Sequence, residues 1–233
     1  MSNSPLISYT ELSPNQSGRR KHAIDTISIH CMAGNLSVES CGHMFSGARK
    51  ASSNYGIGSD GRIGLYVEEK NCSWCTSSPG NDNRAVTIEV ANTVAADPWP
   101  VSDKAYAALI DLLTDICQRN GITRLLWRGD KNLIGQVDKQ NMTVHRWFAA
   151  KACPGDWLYE RHGEIADAVN KRLDAGKDDE IMDQATFDKM MDNYLNRLAE
   201  QEPSDWSEDD RRWAEEFGII YGDESGKKMY RSF

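Results

Sequence analysis

Residues Asn141 to Leu158 read NMTVHRWFAAKACPGDWL, with His145 and Cys153 eight positions apart and Lys151 two before the cysteine. One imidazole and one thiolate are two of the three protein ligands that an open, catalytic zinc site needs. His30 is the best candidate for the third, because it ends the apolar run Ile27-Ser28-Ile29 and leads into Cys31-Met32-Ala33-Gly34, where a strand should meet a loop. Two histidines and one cysteine leave the fourth tetrahedral position to water or substrate, whereas structural zinc sites are closed by four protein ligands. Cys31 is not expected to close the set, since neighbouring residues on a strand point to opposite faces.

Working outward, Pro154-Gly155 should turn the chain into a last helix over about 157–172, and a cysteine just before a helix N-terminus is expected to have a lowered thiol pKa. Upstream, residues 24–31 alternate as a strand, and Ser37 is a plausible N-cap for a helix running to about Lys50. Residues 54–57 and 63–67 are short β runs around Ser59-Asp60-Gly61, in which Asp-Gly signals a hairpin. The β-branched run AVTIEVA at 85–91 reads as a buried central strand. Glu89 interrupts that run, and an ionisable group there is costly unless it is paired or used. Ser102 should cap a helix to Asn120 that Gly121 ends, with Tyr106, Leu109, Ile110, Leu113 and Ile116-Cys117 facing the sheet, and residues 122–127 should add a strand. Strands alternating with helices predict an α/β domain, a central mixed sheet flanked by helices, with a small helical C-terminal extension.

HRWFAAKACPGDW, with its histidine, lysine and cysteine, resembles the second half of the active site of zinc-dependent type 2 N-acetylmuramoyl-L-alanine amidases. ISIHCMAG is similar to the first-ligand motif of the same family, which includes peptidoglycan recognition proteins and phage endolysins. SSNYGIGSDGRIGLYV, NCSWC, RAVTIEVAN, YAALIDLLTDICQRNGI and LWRGDKNLIGQ also match, in order, so that the resemblance covers about residues 20–175. It implies one zinc ion on His30, His145 and Cys153, with Glu89 moving the proton, Lys151 supporting the oxyanion and Tyr55 pointing its hydroxyl at the water. Trp74 and Asn54 are the implied substrate-binding residues. Where many relatives have Trp-His this chain has Trp74-Cys75, which leaves the role of position 75 open. The implied reaction is hydrolysis of the amide between N-acetylmuramic acid and L-alanine. The alternatives are a peptidoglycan-binding protein without catalysis, set against by Cys153, and a bacterial autolysin in place of a phage or prophage endolysin.

The acidic charge is concentrated at the C-terminal end. Residues 177–233 hold 16 acidic and 8 basic side chains, leaving 19 of each sign in 1–176, and this shift places a domain boundary near Gly176. The expected organisation is a catalytic domain, 1–176, with an N-terminal arm, 1–23, and an acidic helical tail, 177–233. The tail holds an amphipathic stretch, 185–199, and then SDWSEDDRRWAEEFGIIYGDESG, which resembles the first half of an S-layer-homology-like wall-binding repeat. Such a half repeat either continues in a longer chain or docks on a second copy as a homodimer. Nothing is basic enough to suggest a nucleic acid partner. A mean hydropathy of −0.61 and the lack of a long apolar run argue against membrane insertion. The first 22 residues have no apolar segment of the secretory type, so the expectation is synthesis in the cytoplasm and action on the wall after release. The six cysteines are accordingly read as mostly reduced thiols, with Cys117 in the core and His43 and His162 as bystanders.

Overall fold

The computed structural model describes residues 2–180, 184–200 and 208–217. The chain divides into two compact units, Met1–Gly176 and Lys177–Phe233.

In the first unit a six-stranded sheet has the order β1-β5-β4-β7-β3-β8. These strands are Tyr9–Thr10 (β1), Thr26–Cys31 (β3), Tyr55–Ile57 (β4), Ile63–Leu65 (β5), Ala85–Val90 (β7) and Met142–Thr143 (β8). Only the β4–β5 hairpin is antiparallel, so the sheet is mixed, as the alternation of strand and helix signals predicts. The arm is more integrated than its polar sequence suggests. Its first strand pairs with β5 at the sheet edge, and Gln16–Arg19 (β2) forms a separate ladder with Asn71–Ser73 (β6).

The central strands divide their side chains by parity. On β3, Ile27 and Ile29 enter the main apolar core with Val86, Ile88 and Val90 of β7. Helix α3, Asp103–Asn120, covers that face with Leu109, Leu112, Leu113 and Ile116, all fully buried. Ser102 caps it by accepting from Ala105 N, and Gly121 ends it at φ 69°, a conformation that favours glycine. The alternate positions, Ser28 and His30 on β3 and Thr87 and Glu89 on β7, put polar groups on the other face. Helix α1, Val38–Ser46, starts at the predicted Ser37 cap, and a short α2, Pro79–Asp82, precedes β7.

One expected strand is absent. Residues 122–127 run without a ladder because side-chain amides take their backbone groups: Leu125 N donates to Asn170 Oδ1, and Leu126 N donates to Asn141 Oδ1. The sheet ends instead at β8. The last helix of this region, α4, is Asp156–Glu180, longer than the sequence reading.

In the second unit, α5 is Gln184–Glu200 and α6 is Glu208–Glu216. Phe187, Met190, Met191, Tyr194 and Leu195 of the amphipathic stretch are all exposed. The Trp213 and Phe217 rings lie 5.1 Å apart. Trp206 and the segment 218–223 of the repeat-like element lie outside the described residues. No described helix is long and apolar enough to cross a membrane.

Candidate active site

His30 is completely buried at the C-terminal end of β3, and its register partner on β7 is Glu89. The two therefore stand side by side on the polar face. His145 begins a 3-10 turn, His145–Trp147, just after the edge strand β8, and Cys153 follows on the loop that leads into α4. This brings His30 together with residues 115 and 123 positions further along the chain. The donor atoms of His30, His145 and Cys153 all lie within 4.8 Å of one another, and Cys153 Sγ is 3.3 Å from His30 Nδ1.

The second nitrogen of His30 explains how the first is kept free. Ser28 Oγ donates to Thr143 O and lies 3.0 Å from His30 Nε2, so it accepts the imidazole proton there and leaves the Nδ1 lone pair facing Cys153. Burial and the neighbouring His145 lower the His30 pKa to about 3, which keeps the ring neutral as a ligand must be. His145 is also lowered, first by burial and then by the charge of Lys151. Two neutral imidazoles and one thiol, in an open groove, fit zinc with a position to spare.

Glu89 faces the same space. Its Oε1 is 4.0 Å from Cys75 Sγ, while Oε2 is buried and has no hydrogen-bond partner. Burial, followed by the charge of Cys31, holds its carboxyl well above the usual carboxylate range. The groove above has a volume of about 1060 Å³, with Trp74, Trp99, Phe45 and Lys151 among its walls.

A family model of N-acetylmuramoyl-L-alanine amidases matches residues 20–156, more than half of the chain. The chain belongs to the N-acetylmuramoyl-L-alanine amidase family. It is an amidase that cleaves the bond between N-acetylmuramic acid and L-alanine in peptidoglycan. Solved structures agree in fold. A selenomethionine derivative of AmpD is 16% identical with a TM-score of 0.52, covering 70% of this chain and 96% of its own. A mutant endolysin from Bacillus subtilis is 14% identical with a TM-score of 0.51, covering 69% and 97%. No curated protein matches the amidase in sequence.

Two residues expected at the amidase site lie elsewhere. Tyr55 pairs with Ile88 and so takes the core face, where its hydroxyl donates to Glu69 Oε1 at 2.6 Å and accepts from Ser4 N. The site-facing position on β4 is Gly56, and an added Cβ there would come within 2.5 Å of the Tyr66 ring packed over it. Asn54 is fully buried as a structural hub: its Oδ1 accepts from Arg20 Nη2 and Thr87 N, and its Nδ2 donates to Val67 O. Trp74 does wall the groove, with Nε1 donating to Ser17 Oγ.

Three further expectations change. Cys31 lines the groove, because the strand ends there and the next turn contains Ala33 at φ 58°. The Cys153 thiol is raised, not lowered: its hydrogen bond with Cys31 and its burial outweigh any effect of the helix start. His162 is fully buried against Trp127, ring centroids 4.5 Å apart. All six cysteines are free thiols, and Cys117 is buried in the core. Sequence reasoning missed Ser28, although its spacing of two from His30 on one strand was a usable signal. It also missed Ser77, whose Oγ lies 3.0 Å from His145 Nε2 and which carried no signal.

Proposed function

We propose that this amidase works with one zinc ion held by His30, His145 and Cys153, and that Glu89 and Lys151 are its catalytic side chains. The convergence of the three ligand atoms beside the orphaned carboxylate of Glu89 supports this reading most directly. Zinc in an open three-ligand site supplies Lewis acidity and brings the pKa of water toward neutrality. Glu89 takes the proton of the attacking water and delivers it to the departing L-alanine nitrogen, a role suited to a carboxylate whose pKa is raised by burial. Lys151 sits at the groove wall and provides a fixed positive charge for the oxygen of the tetrahedral intermediate. Trp74 offers a flat face to the sugar or stem peptide, and Arg19, Lys21, Arg49 and Lys50 form a positive rim suited to a carboxylate-bearing polymer.

The biological setting proposed is a phage or prophage endolysin that acts on peptidoglycan during host lysis, with the tail, 177–233, as a wall-binding element. The fold shared with an endolysin supports the setting. Mass spectrometry of digested cell walls tests the reaction: glycan strands with intact N-acetylmuramic acid and peptides that begin with free L-alanine are expected, and new reducing sugar ends would refute it.

A further inference from the structure

Four thiols, Cys31, Cys41, Cys72 and Cys75, line the groove and have no part in the proposed reaction. Cys75 is the one whose geometry goes furthest. Its Sγ, a Glu89 carboxylate oxygen and a His30 ring nitrogen lie within 4.8 Å of one another, with the sulfur 4.0 Å from Glu89 Oε1. Glu89 Oε2 is buried without a hydrogen-bond partner. Unsatisfied buried polar atoms are rare enough to call for an absent ligand or water.

We propose that His30, Cys75 and Glu89 form a second metal seat, overlapping the first, that takes a thiophilic divalent cation. The donor chemistry favours it, since a thiolate and a carboxylate bring two negative charges to the ion, where His30, His145 and Cys153 bring one. Binding displaces the Cys75 proton to solvent, as at any thiolate ligand. The two seats exclude each other. Ser28 occupies Nε2 of His30, so one nitrogen, Nδ1, must serve both. The chain therefore holds one ion at a time, in one of two positions about the same imidazole. In the second position Glu89 is a ligand and is lost as a base, so an ion there silences the amidase. The second seat itself stands on its own geometry, whereas the exclusion between seats and the silencing rest on the proposed His30, His145 and Cys153 set and on Glu89 as its base.

Cadmium titration of the metal-stripped full chain tests the seat, using the ultraviolet thiolate-to-cadmium band. Wild type, Cys153→Ser and Cys75→Ser are each expected to bind one ion per chain with the band present, and Cys75→Ser/Cys153→Ser is expected to lose the band. Absence of cadmium from Cys153→Ser, or a band that persists in the double variant through Cys31, Cys41 or Cys72, would overturn the proposal. Loss in Cys75→Ser alone would contradict the His30, His145 and Cys153 set and leave the second seat standing. Crystals of the wild-type chain soaked in cadmium need no substitution. Anomalous density within bonding distance of Cys75 Sγ and Glu89 is expected, and density confined to the side of His145 and Cys153 would refute the seat.

Discussion

His30 and Glu89 are register partners on adjacent parallel strands, which fixes the imidazole of the proposed ligand set and a half-buried carboxylate on the same face of the sheet. Neither depends on a flexible loop for its position. Replacement of Glu89 by glutamine keeps the shape and removes the proposed base. The expected result is a fall in kcat of about 10²–10⁴-fold, the usual contribution of a general acid–base, with zinc content unchanged. Atomic absorption alongside a wall-digestion assay measures both.

Ser28 acts through His30. It accepts the Nε2 proton and donates onward to Thr143 O, which sets the tautomer that leaves the Nδ1 lone pair facing Cys153, as the proposed ligand set requires. Ser28→Ala should lower zinc affinity by about 10–100-fold, as removal of such an outer partner generally does, and Ser28→Thr should restore much of it. Competition with a chromogenic chelator reads the affinity. Equal affinity in wild type and Ser28→Ala would show that the hydrogen bond has no positioning role.

Lys151 lies on the groove wall and raises the electrostatic cost of protonating His145. Lys151→Met removes the charge while keeping most of the stem. A loss in kcat of about 10²–10³-fold is expected if it serves the oxyanion as other donors do, with little change in zinc content.

His162 gives a pH dependence of stability. Burial lowers its pKa to about 4, below the ordinary 6.5 of the unfolded chain. Between those values the unfolded state binds the extra proton, so the contribution is complete above pH 6.5 and is lost as pH falls toward 4. The loss reaches about 3 kcal/mol in the acid limit. Chemical denaturation of metal-stripped wild type and His162→Leu at pH 7 and pH 4.5 should show a smaller acid loss for the variant. Parallel acid losses would exclude His162 as the source.

Much of the site was readable because its chemistry is tied to secondary structure. Ser102 and Gly121 bracket α3 as caps, and Glu89 stands out in a β-branched run because an apolar strand has no use for a carboxylate. His30, His145 and Cys153 carry ligand types that few other roles require together. Other features needed tertiary context. The Tyr55 face depends on register with Ile88, which a three-residue strand does not reveal. The missing strand at 122–127 depends on Asn141 and Asn170, whose amides replace ladder bonds from distant positions. Burial of His162 follows from its packing against Trp127, and a helix with many charges gave no hint of it.

The central claim is amide hydrolysis that depends on the metal ligands, and appearance of free L-alanine amino groups from purified peptidoglycan tests it most directly. The zinc-loaded chain should release them, chelation should stop release, zinc should restore it, and Cys153→Ser should remain inactive under all three conditions. Full release by the chelated chain or by Cys153→Ser would contradict the account.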